Sequence, residues 1–261
     1  MRLRTYNIAP LFLGTDGLTE VQSNKLDELL SKIKLTEKQA EERDKLIAKR
    51  EISLSENADI ELPTGAKSLI ESYIDSEVYE YKDTFDSKEV AKGRDVEDQA
   101  IELYNRVFFT DHKKLVDGDK YYELSYKNVF GHPDVVDEDN LMVKDAKSSW
   151  SKKTFPKTPD KADNSTYTWQ VKTYLYMLRG MTGLDWRKGE VFHALVTTPE
   201  ELVPEYEHDS LHFADNLPDN LRVTVCPVYL SDDDIIHMNR RLNAAFKYAQ
   251  EYKDYLLNKN K

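Results

Sequence analysis

The stretch GHPDVVDEDNLMVKDAK, residues 131–147, decides the fold expected of this chain. It reads as two β-strands, residues 128–136 and 141–147, joined by the polar turn Asp137-Glu138-Asp139-Asn140. Side chains alternate across a strand, so Asp145 and Lys147 share a face and Ala146 turns to the other. The hairpin would carry Asp134 to the same edge. Two carboxylates and an ammonium converging there suit a hard divalent cation and a polarised water.

Upstream, residues 121–126 read as a further strand and residues 87–108 as a strong helix. Val96, Ala100, Leu103 and Val107 form the helix's apolar stripe, with Glu97 beside it. Gly93 stands one turn before Glu97, where a small residue lets a backbone or a phosphate approach. Downstream, the loop over residues 148–165 interleaves Lys152, Lys153, Lys157 and Lys161 with Trp150 and Phe155. Such a mixture can grip a nucleic-acid backbone and stack on a base. A helix over residues 167–179, ended by Gly180, places Gln170 and Tyr174 on one face. Residues 191–197 and 222–230 read as strands. Ser231 then caps a final helix with Ile235, Leu242, Phe246, Ala249 and Leu256 towards a core.

Residues 1–60 read as a polar helical segment. Leu26, Leu29, Leu30 and Ile33 have helical spacing, and Thr36-Glu37-Lys38-Gln39 has the form of a capping box. Pro63-Thr64-Gly65 marks a turn before a short helix over residues 66–73. The expected organisation is therefore a helical segment, 1–60, and a main domain, 61–261. The fold class is α/β: a central mixed β-sheet flanked by helices, preceded by the helical segment.

Composition bounds the function without naming it. Hydrophobic residues are 39% and charged residues 33% of the 261, as in a globular chain with a solvated surface. No stretch reads as a transmembrane span or signal peptide, so no membrane partner is expected, and the single cysteine fits a reducing cytoplasm. The single Cys226 excludes an internal disulfide and a four-cysteine iron–sulfur cluster. A formal net charge of −11 argues against a basic coat for nucleic acid. It leaves room for a local basic channel beside an acidic metal site.

An acid-x-Lys triplet alone means little here, because the chain has five: Glu80-Tyr81-Lys82, Asp86-Ser87-Lys88, Asp111-His112-Lys113, Asp145-Ala146-Lys147 and Glu251-Tyr252-Lys253. Only the fourth lies in an apolar strand after a Gly-x-x-Asp, Gly131-His132-Pro133-Asp134. With Glu97 upstream and Gln170-Val171-Lys172-Thr173-Tyr174 downstream, the ordered set resembles the PD-(D/E)xK nuclease superfamily, specifically its RecB-like and lambda-exonuclease-like (YqaJ-type) branch. The matching elements run from Gly93 to Tyr174.

The resemblance implies a restriction-endonuclease-like core and a Mg²⁺-dependent DNA nuclease, with Mn²⁺ able to substitute. It assigns Glu97, Asp134, Asp145 and the Ala146 carbonyl to the metal, Lys147 to catalysis and Gln170 to support of the site. Arg94, His132, Ser148, Trp150, Lys152, Lys153 and Tyr174 are the expected nucleic-acid contacts. The branch further implies an exonuclease acting on double-stranded DNA ends in recombination or repair, phage-encoded and working in a bacterial or phage-infected cytoplasm. A single-strand annealing or recombination protein and further copies of the chain are the implied partners. An endonuclease with the same site, or a catalytically silent nucleic-acid-binding module, are the rival expectations.

Overall fold

A computed structural model describes residues 1–14, 18, 20–32, 34–55, 60–82, 87–117 and 120–259; Ile33 and Asp86 lie outside them. In chain order its elements begin with β1 (Leu3–Arg4), α1 (Ala9–Phe12), α2 (Glu20–Ser31), α3 (Glu37–Leu54), α4 (Thr64–Val78), α5 (Lys88–Asp95) and α6 (Glu97–Phe108). There follow β2 (Val116–Asp117), β3 (Lys120–Tyr121), β4 (Leu124–Tyr126), β5 (Val129–Gly131), β6 (Val135–Asp137) and β7 (Met142–Ser148). The chain ends with α7 (Pro159–Ala162), α8 (Ser165–Thr182), β8 (Lys188–Ala194), β9 (Val223–Tyr229) and α9 (Asp232–Asn258). No helix among the described residues is long and apolar enough to cross a membrane.

Two compact units result: Met1 with residues 10–81 and 231–261, and residues 2–9 with 82–230. These bounds differ from a division after residue 60. In the first unit α4 lies along α9, where Tyr252 donates to Asp75 at 3.1 Å and Tyr248 to Glu71. Its helices α2 and α3 pack through Leu26, Leu29 and Leu46. Thr36 and Gln39 form their capping box, with backbone-to-side-chain bonds of 3.1 and 3.4 Å. Ser231 and Asp234 cap α9 in the same reciprocal way.

The second unit holds the central mixed sheet, ordered β6-β7-β8-β9, with β7 and β8 parallel and the outer pairs antiparallel. One face packs on α6, where Val96, Ala100, Ile101, Leu103 and Tyr104 meet Val135, Phe192 and Ala194. The other carries α8, whose Val171 lies so close that a Cβ at Gly189 would stand 2.5 Å from its Cγ1. Cys226 is buried in β9. This is the α/β architecture expected, a mixed sheet between helices.

Local expectations change in five places. The single strand over residues 128–136 is two strands in two sheets, because Pro133 has no N–H to donate and constrains the residue before it. β5 instead joins a three-stranded sheet, β1-β5-β4, in which the N-terminal β1 runs parallel to it. Residues 3 and 4 are therefore strand rather than helix. Likewise, the strand over residues 121–126 is divided between β3 and β4.

The helix over residues 87–108 breaks at Val96 (φ −113°, ψ 11°), which leaves helical geometry while its side chain stays in the core. Glu97 thereby opens α6 instead of sitting mid-helix. Gly180 does not end its helix. α8 continues to Thr182 and closes on Gly183, whose φ of +73° suits glycine. Gly180 is small because Tyr126 packs onto it: an added Cβ would lie 2.3 Å from the ring's Cζ. Gly to Ala inside a helix ordinarily stabilises by about 1 kcal/mol. Here Gly180→Ala is expected to destabilise by about 1–3 kcal/mol through overpacking. Urea denaturation of Gly180→Ala, with and without Tyr126→Ala, checks this; the second substitution should remove the penalty.

Candidate active site

The β6–β7 hairpin sets the centre of the site. Val135 is registered opposite Lys144, so the preceding Asp134 stands opposite Asp145, and directly opposed residues of an antiparallel pair face the same way. The Ala146 amide donates to Asp134 Oδ2 at 2.7 Å and fixes that carboxylate against β7. Lys147, two residues beyond Asp145, joins the same face, with Nζ 2.5 Å from Asp145 Oδ2. Both Asp145 oxygens are buried, and Lys147 is the partner of Oδ2, while Oδ1 has no hydrogen-bond partner.

The charges act on one another strongly. Burial raises Asp134 well above the usual carboxylate range; Asp145 pushes it further, Lys147 and the Ala146 amide pull back, and Glu97 adds repulsion. Burial alone would lower the Lys147 ammonium, but Asp145 and Asp134 overcome it and hold Lys147 above its ordinary value. Its Nζ also lies 4.9 Å from the centre of the Tyr167 ring. Lys147 is thus a fixed positive charge.

A network from α8 holds the turn that precedes Asp134. The Tyr174 hydroxyl donates to the His132 carbonyl at 2.9 Å and lies 3.1 Å from both Gln170 Nε2 and Thr5 Oγ1. Tyr174 was expected to contact nucleic acid; it is 2% exposed, and its hydroxyl is spent on protein groups. It positions His132-Pro133-Asp134 instead. Here the helix pair seen in the sequence, Gln170 and Tyr174, acts as one unit.

The two carboxylates, Lys147 and Gln170 line a cleft of 770 Å³. It brings together Arg94, Glu97, Asp134, Asp145, Ala146, Lys147, Ser148, Trp150 and Gln170, all singled out in the sequence. Lys152 lies outside it, with Nζ 3.3 Å from Asn216 Oδ1, and Lys153 is exposed elsewhere on the loop. His132 faces away, its Nδ1 3.3 Å from the Tyr122 carbonyl oxygen. Gly93 lines the cleft with open space above its Cα, as close approach of a phosphate requires.

Several contributors escaped sequence reasoning. Lys114, 3.3 Å from Glu97 and 3.5 Å from Asp98, carries no motif at all. Tyr167 and His193 line the cleft with ring centres 6.0 Å apart. Lys92 is fully buried, and burial pushes it down to about 8. It donates to the carbonyls of Ser149 (2.6 Å), Trp150 (3.0 Å) and Val196 (2.9 Å), tying α5 to the turn after β7. The signal was legible: Lys92 precedes Val96 by one turn on the apolar stripe of the helix.

The donor set fits a hard divalent cation. Asp145 offers a buried oxygen without a hydrogen-bond partner, and Asp134 faces it across the hairpin under mutual repulsion that a cation would relieve. Among the described residues no three acidic, histidine or cysteine side chains close a complete cage. Glu97 is near enough to repel Asp134 yet ion-paired to Lys114. Mg²⁺ retains several waters, so two carboxylates and a carbonyl suffice.

No protein-family model matches the chain, and no curated protein matches it either. Solved structures do. A phage-related exonuclease from Haemophilus somnus 129PT is 18% identical, with a TM-score of 0.71 over 100% of this chain and 97% of that one. LHK-Exo in complex with dAMP is 11% identical, with a TM-score of 0.52 over 99% and 92%. The chain thus shares its fold with these proteins, and within that fold Asp134 and Asp145 stand opposed across a hairpin of the central sheet.

Proposed function

We propose that this protein is a Mg²⁺-dependent DNA exonuclease. The carrying observation is the opposed pair Asp134 and Asp145, with Lys147 on the same face, at the floor of an open cleft. Asp134, Asp145, Glu97 and the Ala146 carbonyl would hold Mg²⁺, with Mn²⁺ as a substitute. When bound, the ion supplies Lewis-acid polarisation of a phosphoryl oxygen and a more acidic water.

The side chains supply the remainder. Lys147, held protonated, sets a fixed ammonium where phosphoryl charge develops, so its role is electrostatic rather than that of a base. Gln170 and Tyr174 keep the Asp134 turn at its distance from β7. Arg94, Ser148 and Trp150 line the approach for the phosphodiester backbone and its bases.

Exonuclease rather than endonuclease action is supported by the fold shared with a phage-related exonuclease and with LHK-Exo. The same likeness supports a phage-encoded enzyme of DNA recombination or repair in the bacterial cytoplasm. It would act on duplex ends, beside a single-strand annealing or recombination protein, as a homo-oligomer. End-labelled linear duplex and covalently closed circular DNA, each with Mg²⁺, Mn²⁺ or EDTA, test the reading. Digestion of the linear DNA alone, lost in EDTA, is expected. Cutting of the circle would make the enzyme an endonuclease, and no cleavage by folded protein would leave a binding module.

A further inference from the structure

The N-terminal strand puts an unexpected row of side chains beside the cleft. In the sequence Arg2-Leu3-Arg4-Thr5-Tyr6, Leu3 and Thr5 are buried while Arg2, Arg4 and Tyr6 face outwards. Arg4 is registered beside Phe130 of β5, which is registered beside Ser125 of β4, so all three share the outer face of the small sheet. The Arg2 guanidinium lies 4.4 Å from the centre of the Phe130 ring, and that of Arg4 lies 5.8 Å from it. Arg4 also lies 5.2 Å from the centre of the Tyr6 ring. Tyr6, 56% exposed, lines the active-site cleft. Arg2, Phe130, Arg4 and Tyr6 thus form a continuous cationic and aromatic ladder that ends in the cleft.

Stability does not account for the ladder. Exposed cation–π pairs, and an exposed ion pair such as Arg2 with Glu123, add little to folding. What the row offers is two guanidiniums for phosphates and flat π-surfaces for bases, on a chain whose net charge of −11 otherwise repels a polyanion. Bases inside a duplex are already stacked and cannot reach such a surface, whereas those of a single strand can. We propose that the outer face of β1 and β5 is a track for single-stranded DNA continuous with the strand in the cleft. The proposal rests on the nuclease reading only in taking the ligand to be nucleic acid.

The test measures binding in EDTA, where cleavage cannot interfere. Fluorescence anisotropy follows a labelled single-stranded oligonucleotide and a blunt duplex of equal length across a salt series. The proteins are wild type, Arg2→Ala/Arg4→Ala and Arg2→Lys/Arg4→Lys, with thermal melts confirming that each is folded. The alanine protein should lose roughly tenfold in single-strand affinity. The slope of log K against log salt should fall by about 1.4, since each phosphate contact to a single strand contributes about 0.7. The lysine protein should recover the slope but only part of the affinity, because an ammonium does not stack as a guanidinium does.

Unchanged single-strand affinity and slope in the folded alanine protein would overturn the track. An equal loss on the duplex would overturn its assignment to a single strand. Wild-type protein that cleaves no DNA under any metal condition would sink the nuclease reading and leave the binding result standing.

Discussion

Asp134→Asn is expected to abolish metal-dependent cleavage while raising the melting temperature of the metal-free protein. The asparagine carbonyl can still accept the Ala146 amide hydrogen bond, 2.7 Å in the parent, so the hairpin keeps its register. What disappears is the charge that burial, Asp145 and Glu97 all disfavour. Relief of about 1 kcal/mol would raise the midpoint by roughly 2–4 °C in a chain of this size. Activity goes the other way. A divalent ion contributes several kcal/mol to the transition state, and about 4 kcal/mol corresponds to roughly 10³ in rate.

Differential scanning fluorimetry with and without Mg²⁺ supplies the second readout. Wild type should gain stability from the ion by mass action, and Asp134→Asn should not. Retained cleavage, or an undiminished Mg²⁺ shift, would remove Asp134 from the metal site.

Lys147→Met carries the opposite sign for stability. Its ammonium offsets two buried carboxylates, and removing it leaves Asp134 and Asp145 facing each other without a counter-charge. Losing one partner of a buried pair costs about 3–5 kcal/mol. The Lys147 side chain keeps 23% exposure, so about 3 kcal/mol, the lower end, is expected. Cleavage should fall by about 10²–10³, as when one preorganised donor is removed from an active site. Mg²⁺ should recover more stability in Lys147→Met than in wild type, because the ion supplies the missing positive charge. Urea denaturation at several Mg²⁺ concentrations measures this. Loss of stability that Mg²⁺ does not recover would mean that Lys147 matters for packing, not charge.

The two variants separate the roles of neighbouring residues that a nuclease assay alone would score alike. Both lose cleavage. One protein becomes easier to fold without its metal and the other harder, because the unliganded site holds more negative charge than its single ammonium neutralises.

The amino-acid sequence by itself determined the hairpin, the identities of Asp134, Asp145 and Lys147, and the pairing of Gln170 with Tyr174. Each of these depends on contacts within a few residues, or on a strand period of two and a helical step of four, which are local properties of the chain. Pro133 imposes the break locally, but tertiary structure decided which sheets β5 and β6 join on either side of it. It placed β1 beside β5, with 125 residues between Leu3 and Val129, so the strand character of Arg2-Leu3-Arg4 depends on a distant edge.

Glycine at position 180 likewise answers to Tyr126, not to the end of its own helix. Tyr174 became a support for the Asp134 turn because the fold brings the His132 carbonyl and Thr5 to its hydroxyl. Lys114 reached Glu97 by the same kind of distant approach. Residue types and short-range periodicities write the chemistry of a site into the chain. Which side chains are buried, and against what, follows from long-range packing that no local pattern encodes.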